Sequence, residues 1–131
     1  MSNVARAIVV GHAGYAAGIV SAVEQITGNG AMLLPLSNTS LGAAGIEQMV
    51  RDALTESGVR IIFTDLPAGS ATMAVRRLQR SLPNLTVIAG ANLAVLLDFV
   101  QQSDPPSEDI AVQALEKGKS AMMAFRGTSA G

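Results

Sequence analysis

Four short apolar runs alternate with segments of helical period, and this alternation decides what the chain can fold into. Ala5–Gly11 (ARAIVVG), Ala31–Leu36, Val59–Thr64 (VRIIFT) and Leu85–Ala89 (LTVIA) each have the length of a strand. Between them, Tyr15–Thr27 places Ile19, Val20, Val23 and Ile26 on one helical face. A helix from about Leu41 to Ser57 turns Ile46, Met49, Val50, Ala53 and Leu54 inward, with Thr39 or Ser40 as its cap. Ser70–Leu82 reads as a third helix, with Met73, Ala74, Arg77, Leu78 and Leu82 inward and Arg77 burying only its stem. Gly28-Asn29-Gly30, Gly58 and Pro83-Asn84 end these helices.

Strands separated by helices pair in parallel, and their crossovers are right-handed. The expected fold is therefore α/β: an open, doubly wound, mainly parallel sheet of order about 2-1-3-4 with helices on both faces. A helix from about Leu93 to Gln102 completes a domain over residues 1–102. Asp104-Pro105-Pro106 is a short linker, and Ser107 caps an extra C-terminal helix over about Glu108–Phe125. Glu108 and Asp109 suit the positive end of that helix. Residues 103–131 are thus a C-terminal helix with a tail that frays from Arg126 onward.

Composition narrows the function classes. Only 3% of residues are aromatic, and the net charge is −1. The basic group Arg76, Arg77 and Arg80 has no interleaved aromatics, so nucleic acid is not an expected partner. Cysteine is absent, which excludes disulfides and thiolate metal sites. No metal or other cofactor is expected. The apolar run Ala7–Val10 is too short for a signal peptide, and no run approaches the ~20 apolar residues of a membrane span. A soluble, cytoplasmic protein is expected, with no membrane insertion.

In open parallel sheets, chemistry collects beyond the carboxyl ends of the strands. Strand one ends in Gly11-His12-Ala13-Gly14, strand three in Thr64-Asp65-Leu66-Pro67-Ala68-Gly69-Ser70, and strand four in Gly90-Ala91-Asn92. His12 is the sole histidine. In a 2-1-3-4 order it meets Asp65 at that edge. A lone histidine is often structural, but a carboxylate beside one ring N–H fixes the tautomer and frees the other nitrogen as a nucleophile. The turn into the third helix, with Gly69 and the Ser70 hydroxyl, suits phosphate oxygens. Gly14 and Asn92 lie at the edge of this candidate site.

These segments resemble a known family. Ile8-Val9-Val10-Gly11-His12-Ala13-Gly14 with Ala17-Gly18 is similar to the opening of the mannose-type IIA components of the sugar phosphotransferase system. Thr64–Ser70 resembles that family's Asp-Leu-x-x-Gly-Ser block, and Gly90-Ala91-Asn92-Leu93 through Leu97 its Gly-x-Asn-Leu-Pro-x-Leu-Leu block. The resemblance implies a phosphotransferase component with a phosphohistidine intermediate. His12 would accept a phosphoryl group from the carrier protein HPr and pass it to a IIB component for sugar uptake. Asp65 would orient His12, and Ser70 would help to hold the phosphate. It also implies a homodimer, compatible with association with a membrane permease complex. Asp-Leu-Pro-Ala-Gly-Ser looks more like the branch serving galactosamine and N-acetylgalactosamine. Gly11, Ala13 and Ala94 depart from the family's usual serine, glycine and proline.

Other readings compete. The phosphotransfer subunit of dihydroxyacetone kinases also uses a histidine after strand one, but its later turn lacks the Pro67-Ala68 spacer. A receiver phosphorylated on Asp65 would need acidic residues where Gly11 and His12 stand. A nucleotide-binding module would need a different glycine spacing. A non-enzymatic regulatory or dimerising α/β module is the remaining alternative.

Overall fold

The computed structural model describes residues 4–128. Its elements follow the alternation of the sequence: β1 (Ala7–Gly11), α1 (Tyr15–Thr27), a 3₁₀ turn (Gly30–Met32), β2 (Leu33–Ser37), α2 (Ala43–Ser57), β3 (Ile61–Thr64), α3 (Ser70–Leu78), β4 (Thr86–Ala89), α4 (Leu93–Val100) and α5 (Glu108–Ser120). The sheet has the order β2-β1-β3-β4. All three pairings are parallel, with Val10 opposite both Leu36 and Thr64, and Phe63 opposite Ile88. The expected α/β architecture is the observed one.

Alternation along β1 divides the core into two layers. Ala7 and Val9 pack on one face with Phe63, Ile88, α1, α4 and α5. Ile8 and Val10 pack on the other with Ile62, α2 and α3. Every β1 residue is buried, as a central parallel strand covered on both sides must be. Phe63 and Phe99 meet edge to face, with ring centroids 5.1 Å apart. This joins the sheet to α4 in the arrangement that aromatic quadrupoles favour.

Local chemistry sets the element ends. Gly28 and Gly58 close α1 and α2 in left-handed conformations (φ 78° and 75°), their N–H groups donating to Glu24 and Leu54 carbonyls. A side chain there would carry a steric penalty. Ser107 Oγ caps α5 by accepting from the Ile110 N–H at 3.2 Å. Glu108 and Asp109 occupy its first turn, and Lys117 and Lys119 its last.

Several sequence expectations need correction. α2 begins at Ala43, not near Leu41, and its N-cap is Gly42 with no side-chain bond. Thr39 is occupied instead by Ser37, hydroxyl to hydroxyl at 2.8 Å, and Ser40 sits in the left-handed region (φ 65°). Residues 31–32 belong to the 3₁₀ turn rather than to β2. α3 ends at Leu78, and its buried stripe is Ala71, Ala74, Val75 and Leu78. Met73 therefore shares the outer face with Arg76 and Arg80 and is 51% exposed. Arg77 is half-buried and pairs with Glu47, Nε to Oε2 at 2.7 Å. Ile26, in the last turn of α1, is exposed instead of packed. α5 stops at Ser120 rather than Phe125, so Met122 and Phe125 are not helical. Arg126–Thr128 are exposed and irregular, and the rest of the expected frayed tail, 129–131, lies outside the described residues.

α5 shares the first core layer. Ile110, Ala111 and Ala114 are buried there, and Gly118 lets the helix approach α4 closely. A Cβ on Gly118 would stand 2.8 Å from Val95 Cβ. Among the described residues no helix is long and apolar enough to cross a membrane.

Candidate active site at the carboxyl edge of the sheet

The 2-1-3-4 order makes β1 and β3 neighbours, so their last residues deliver His12 and Asp65 to the same point. Asp65 Oδ2 accepts twice from the same residue. The His12 backbone N–H donates at 2.8 Å, and His12 Nδ1 lies 2.7 Å away. The Asp65 side chain is 9% exposed and the His12 side chain 51%. The pair is thus a buried carboxylate holding a half-exposed ring. With an ionised carboxylate at Nδ1, that nitrogen is the donor, and Nε2 carries the lone pair.

The electrostatics of Asp65 favour the ionised form. Burial pushes its pKa up, but the bonds from the His12 N–H and ring, the ring's charge and the Leu66 N–H outweigh burial and hold the carboxyl below its ordinary value. Its second oxygen, Oδ1, is buried without a hydrogen-bond partner. Gly11 makes this packing possible. A Cβ on Gly11 would lie 2.7 Å from Tyr15 Cδ2 and 2.8 Å from Asp65 Cγ and Oδ2. The absence of a side chain before His12 is therefore a steric condition of the site.

Gly69 closes the other side of the ring. A Cβ there would stand 3.3 Å from His12 Cε1, the carbon next to Nε2. Gly69 is the N-cap of α3, which has no side-chain cap, so the first N–H groups of the helix are available to an anion. The Gly69 N–H itself donates to the Leu66 carbonyl at 3.1 Å. Ser70, the first residue of α3, is exposed, and its Oγ accepts from Asn38 Nδ2 at 2.8 Å.

Gly14 and Asn92 have structural work. Gly14 is the N-cap of α1, its carbonyl accepting from the Gly18 N–H, and no atom would obstruct a Cβ there. Asn92 Oδ1 caps α4 by accepting from the Val95 N–H, and its Nδ2 donates to the Gly118 carbonyl, both at 2.9 Å. Both ends of the Asn92 side chain are thus engaged away from the ring.

Three supporting residues escape a motif-based reading. Tyr15 donates its hydroxyl to the Ala91 carbonyl at 2.7 Å. Burial, and then the Asp65 charge, push its pKa up to about 12, so it stays a neutral donor. Thr72 bonds the Leu66 carbonyl and lies 2.6 Å from Thr64 Oγ1, stapling the loop that carries Asp65. Asn38 follows β2 and is buried. Applying the strand-end rule to β2 as well as to β1, β3 and β4 would have found it. Among the described residues no cluster of three or more His, Cys, Asp or Glu could hold a metal ion.

The family of fructose IIA components of the phosphotransferase system, EIIA-man, matches residues 6–116. The chain belongs to this family. Solved structures share the fold of this EIIA-man chain. The mannose/sorbose-specific IIA subunit from Enterococcus faecalis superposes with a TM-score of 0.81 at 21% identity, over 96% of this chain and 98% of that one. The phosphotransferase component EIIA from Streptococcus agalactiae gives 0.80 at 16%, over 92% and 96%. The IIA protein associated with the fucose utilization operon of Streptococcus pneumoniae gives 0.74 at 19%, over 95% and 96%. No curated protein matches the chain. Membership assigns the chain to the IIA components of the phosphotransferase system, a transferase family serving sugar transport.

Proposed function

We propose that this IIA chain carries a phosphoryl group on Nε2 of His12, taking it from the phosphohistidine of HPr and passing it to a IIB component during sugar uptake. The observation that carries this reading is the 2.7 Å contact between His12 Nδ1 and Asp65 Oδ2, with the ring half-exposed above a buried carboxylate. The lone pair on Nε2 forms a bond to phosphorus as the bond to the donor's ring nitrogen breaks. The donor ring keeps the electron pair of that bond. The His12 ring retains its Nδ1 proton and becomes cationic, which Asp65 stabilises across their short contact. Transfer to IIB reverses the sequence, with the acceptor's nucleophile displacing Nε2.

Catalysis of this kind rests mainly on positioning and electrostatic stabilisation. Asp65 supplies the first by gripping both the backbone and the ring of His12. Gly69, Ser70 and the uncapped start of α3 supply the second. A cytoplasmic location and a homodimer belong to the same reading. Amino sugars of the galactosamine type are the proposed cargo, on the strength of the Asp65–Ser70 motif.

Incubation with HPr and its phosphate donor, followed by mass measurement and site mapping, tests the proposal. The native chain should gain one phosphoryl group on His12. His12→Ala should stay unlabelled while folding normally. Asp65→Ala should load more slowly, with the nucleophile still present. Full labelling of His12→Ala would remove the histidine from the mechanism, and an unchanged rate for Asp65→Ala would remove the aspartate.

A further inference from the structure

One buried polar side chain beside this site has no part in the chemistry above. Asn38 is 8% exposed. Its backbone is fixed at both ends: its N–H donates to the Gly11 carbonyl and its carbonyl accepts from the Leu41 N–H, each at 3.0 Å. Gly11 immediately precedes His12, so Asn38 is anchored to the strand end that carries the imidazole. The local turn is made by these backbone bonds and leaves the side chain free for another task. That side chain reaches across to α3, where Nδ2 donates to Ser70 Oγ at 2.8 Å. Ser70 adjoins Gly69, the residue packed against His12 Cε1.

A hydroxyl has one hydrogen to give and two lone pairs to receive. An amide NH₂ group only gives. Asn38 therefore fills an acceptor position on Ser70 Oγ and makes no claim on the Ser70 hydrogen. That hydrogen is left for an oxygen acceptor, and a phosphoryl group brings three. Accepting a bond also makes the hydroxyl a better donor.

We infer that Asn38 is a positioning residue: by donating to Ser70 Oγ, it commits the Ser70 hydroxyl hydrogen to an oxygen of the phosphoryl group at His12. The inference rests on the phosphocarrier reading and adds to it a residue that never touches the reacting atoms. Charge in phosphoryl transfer spreads over the equatorial oxygens, and a donor aimed in advance needs no reorganisation when that charge develops. Asn38 also couples β2 to the β1–β3 pair, so three strand ends share in setting one hydroxyl.

The test is a double-mutant cycle read by the rate of phosphoryl loading from phospho-HPr, with kcat and KM separated and the thermal midpoint of each variant recorded. Asn38→Ala should lower kcat on the order of tenfold, by analogy with the loss of an oriented donor, and leave KM for phospho-HPr nearly unchanged. Asn38→Asp keeps the shape but turns a donor into an acceptor that captures the Ser70 hydrogen, so it should be slower still. In a Ser70→Ala background, Asn38→Ala should have no further effect, because the hydroxyl it orients is gone. Equal losses from Asn38→Ala with and without Ser70 would overturn the inference, as would Asn38→Asp loading at the native rate. Should Asn38→Ala not fold, the same cycle run with Asn38→Ser decides the matter. Native protein that loads normally while Asn38 and Ser70 act independently defeats this inference alone. Native protein that takes no phosphoryl group at all defeats the phosphocarrier reading.

Discussion

At the scale of single residues, this candidate site is governed by backbone positions as much as by the His12 ring. Ala13, directly after His12, has φ 47°. That region costs an L-residue with a Cβ roughly 1–2 kcal/mol, part of which glycine would return as extra unfolded-state entropy. Ala13→Gly should therefore stabilise the fold by about 0.5–1 kcal/mol, read as a shift in the urea midpoint. A lower midpoint would mean that the alanine is not strained. Asp65 makes a second prediction. Its folded-state pKa is depressed, so its bonds to His12 contribute stability above the unfolded carboxylate value, ~3.9. That contribution is lost as pH falls through the lower folded value. Below about pH 4, the native midpoint should therefore fall more steeply than that of Asp65→Asn. Parallel acid limbs would show that the carboxylate carries no such linkage.

At the scale of elements, the loops beyond β3 and β4 are fixed by side chains that serve helices. Asn92 caps α4 and holds the end of α5 through the Gly118 carbonyl. Asn92→Ala should cost about 1–2 kcal/mol in denaturant unfolding, and a loss below the error of measurement would show the two bonds to be replaceable by water. The periodicity of the sequence located every α-helix and strand of the described residues, most plainly β1 and β3, where burial on two faces leaves a strong apolar signature. Boundaries were less legible. The start of α2 depended on Ser37 capturing Thr39, and the end of α3 on which stripe of residues met the sheet. The first is a local contact two residues apart and the second a tertiary outcome, and helix propensity contains neither. Met73 shows the difference plainly: its hydrophobicity suggested the core, while the stripe from Ala71 to Leu78 left it outside.

At the scale of the whole molecule, three exposed apolar residues follow α5: Met122, Met123 and Phe125 are 83%, 67% and 89% exposed. Met122 lines the cavity formed with Ile88, Val95 and Leu115 beside β4, an edge strand paired only with β3. This exposed apolar surface supports the proposed homodimer. Sedimentation should find native dimers at micromolar concentration, and Met122→Glu with Phe125→Glu should shift them toward monomers. Native sedimentation as a monomer would defeat the dimer. The candidate pair was legible in the chain because one topological rule brings His12 and Asp65 to the same edge. The same rule applied to the end of β2 reaches Asn38, whereas Tyr15 and Thr72 were not legible, because their parts depend on hydrogen-bond partners 76 and 6 positions away. Such pairings carry no spacing signature.

The double grip of one carboxylate oxygen on residue 12 has a spectroscopic corollary. The amide proton and the imidazole compete for electron density on the same atom. Under the proposed loading of the outer nitrogen, the ring's new positive charge draws that density toward itself, and the amide bond weakens. The residue 12 amide resonance should then move upfield and return as the cargo departs, making the backbone at this position a label-free gauge of whether the carrier is full or empty.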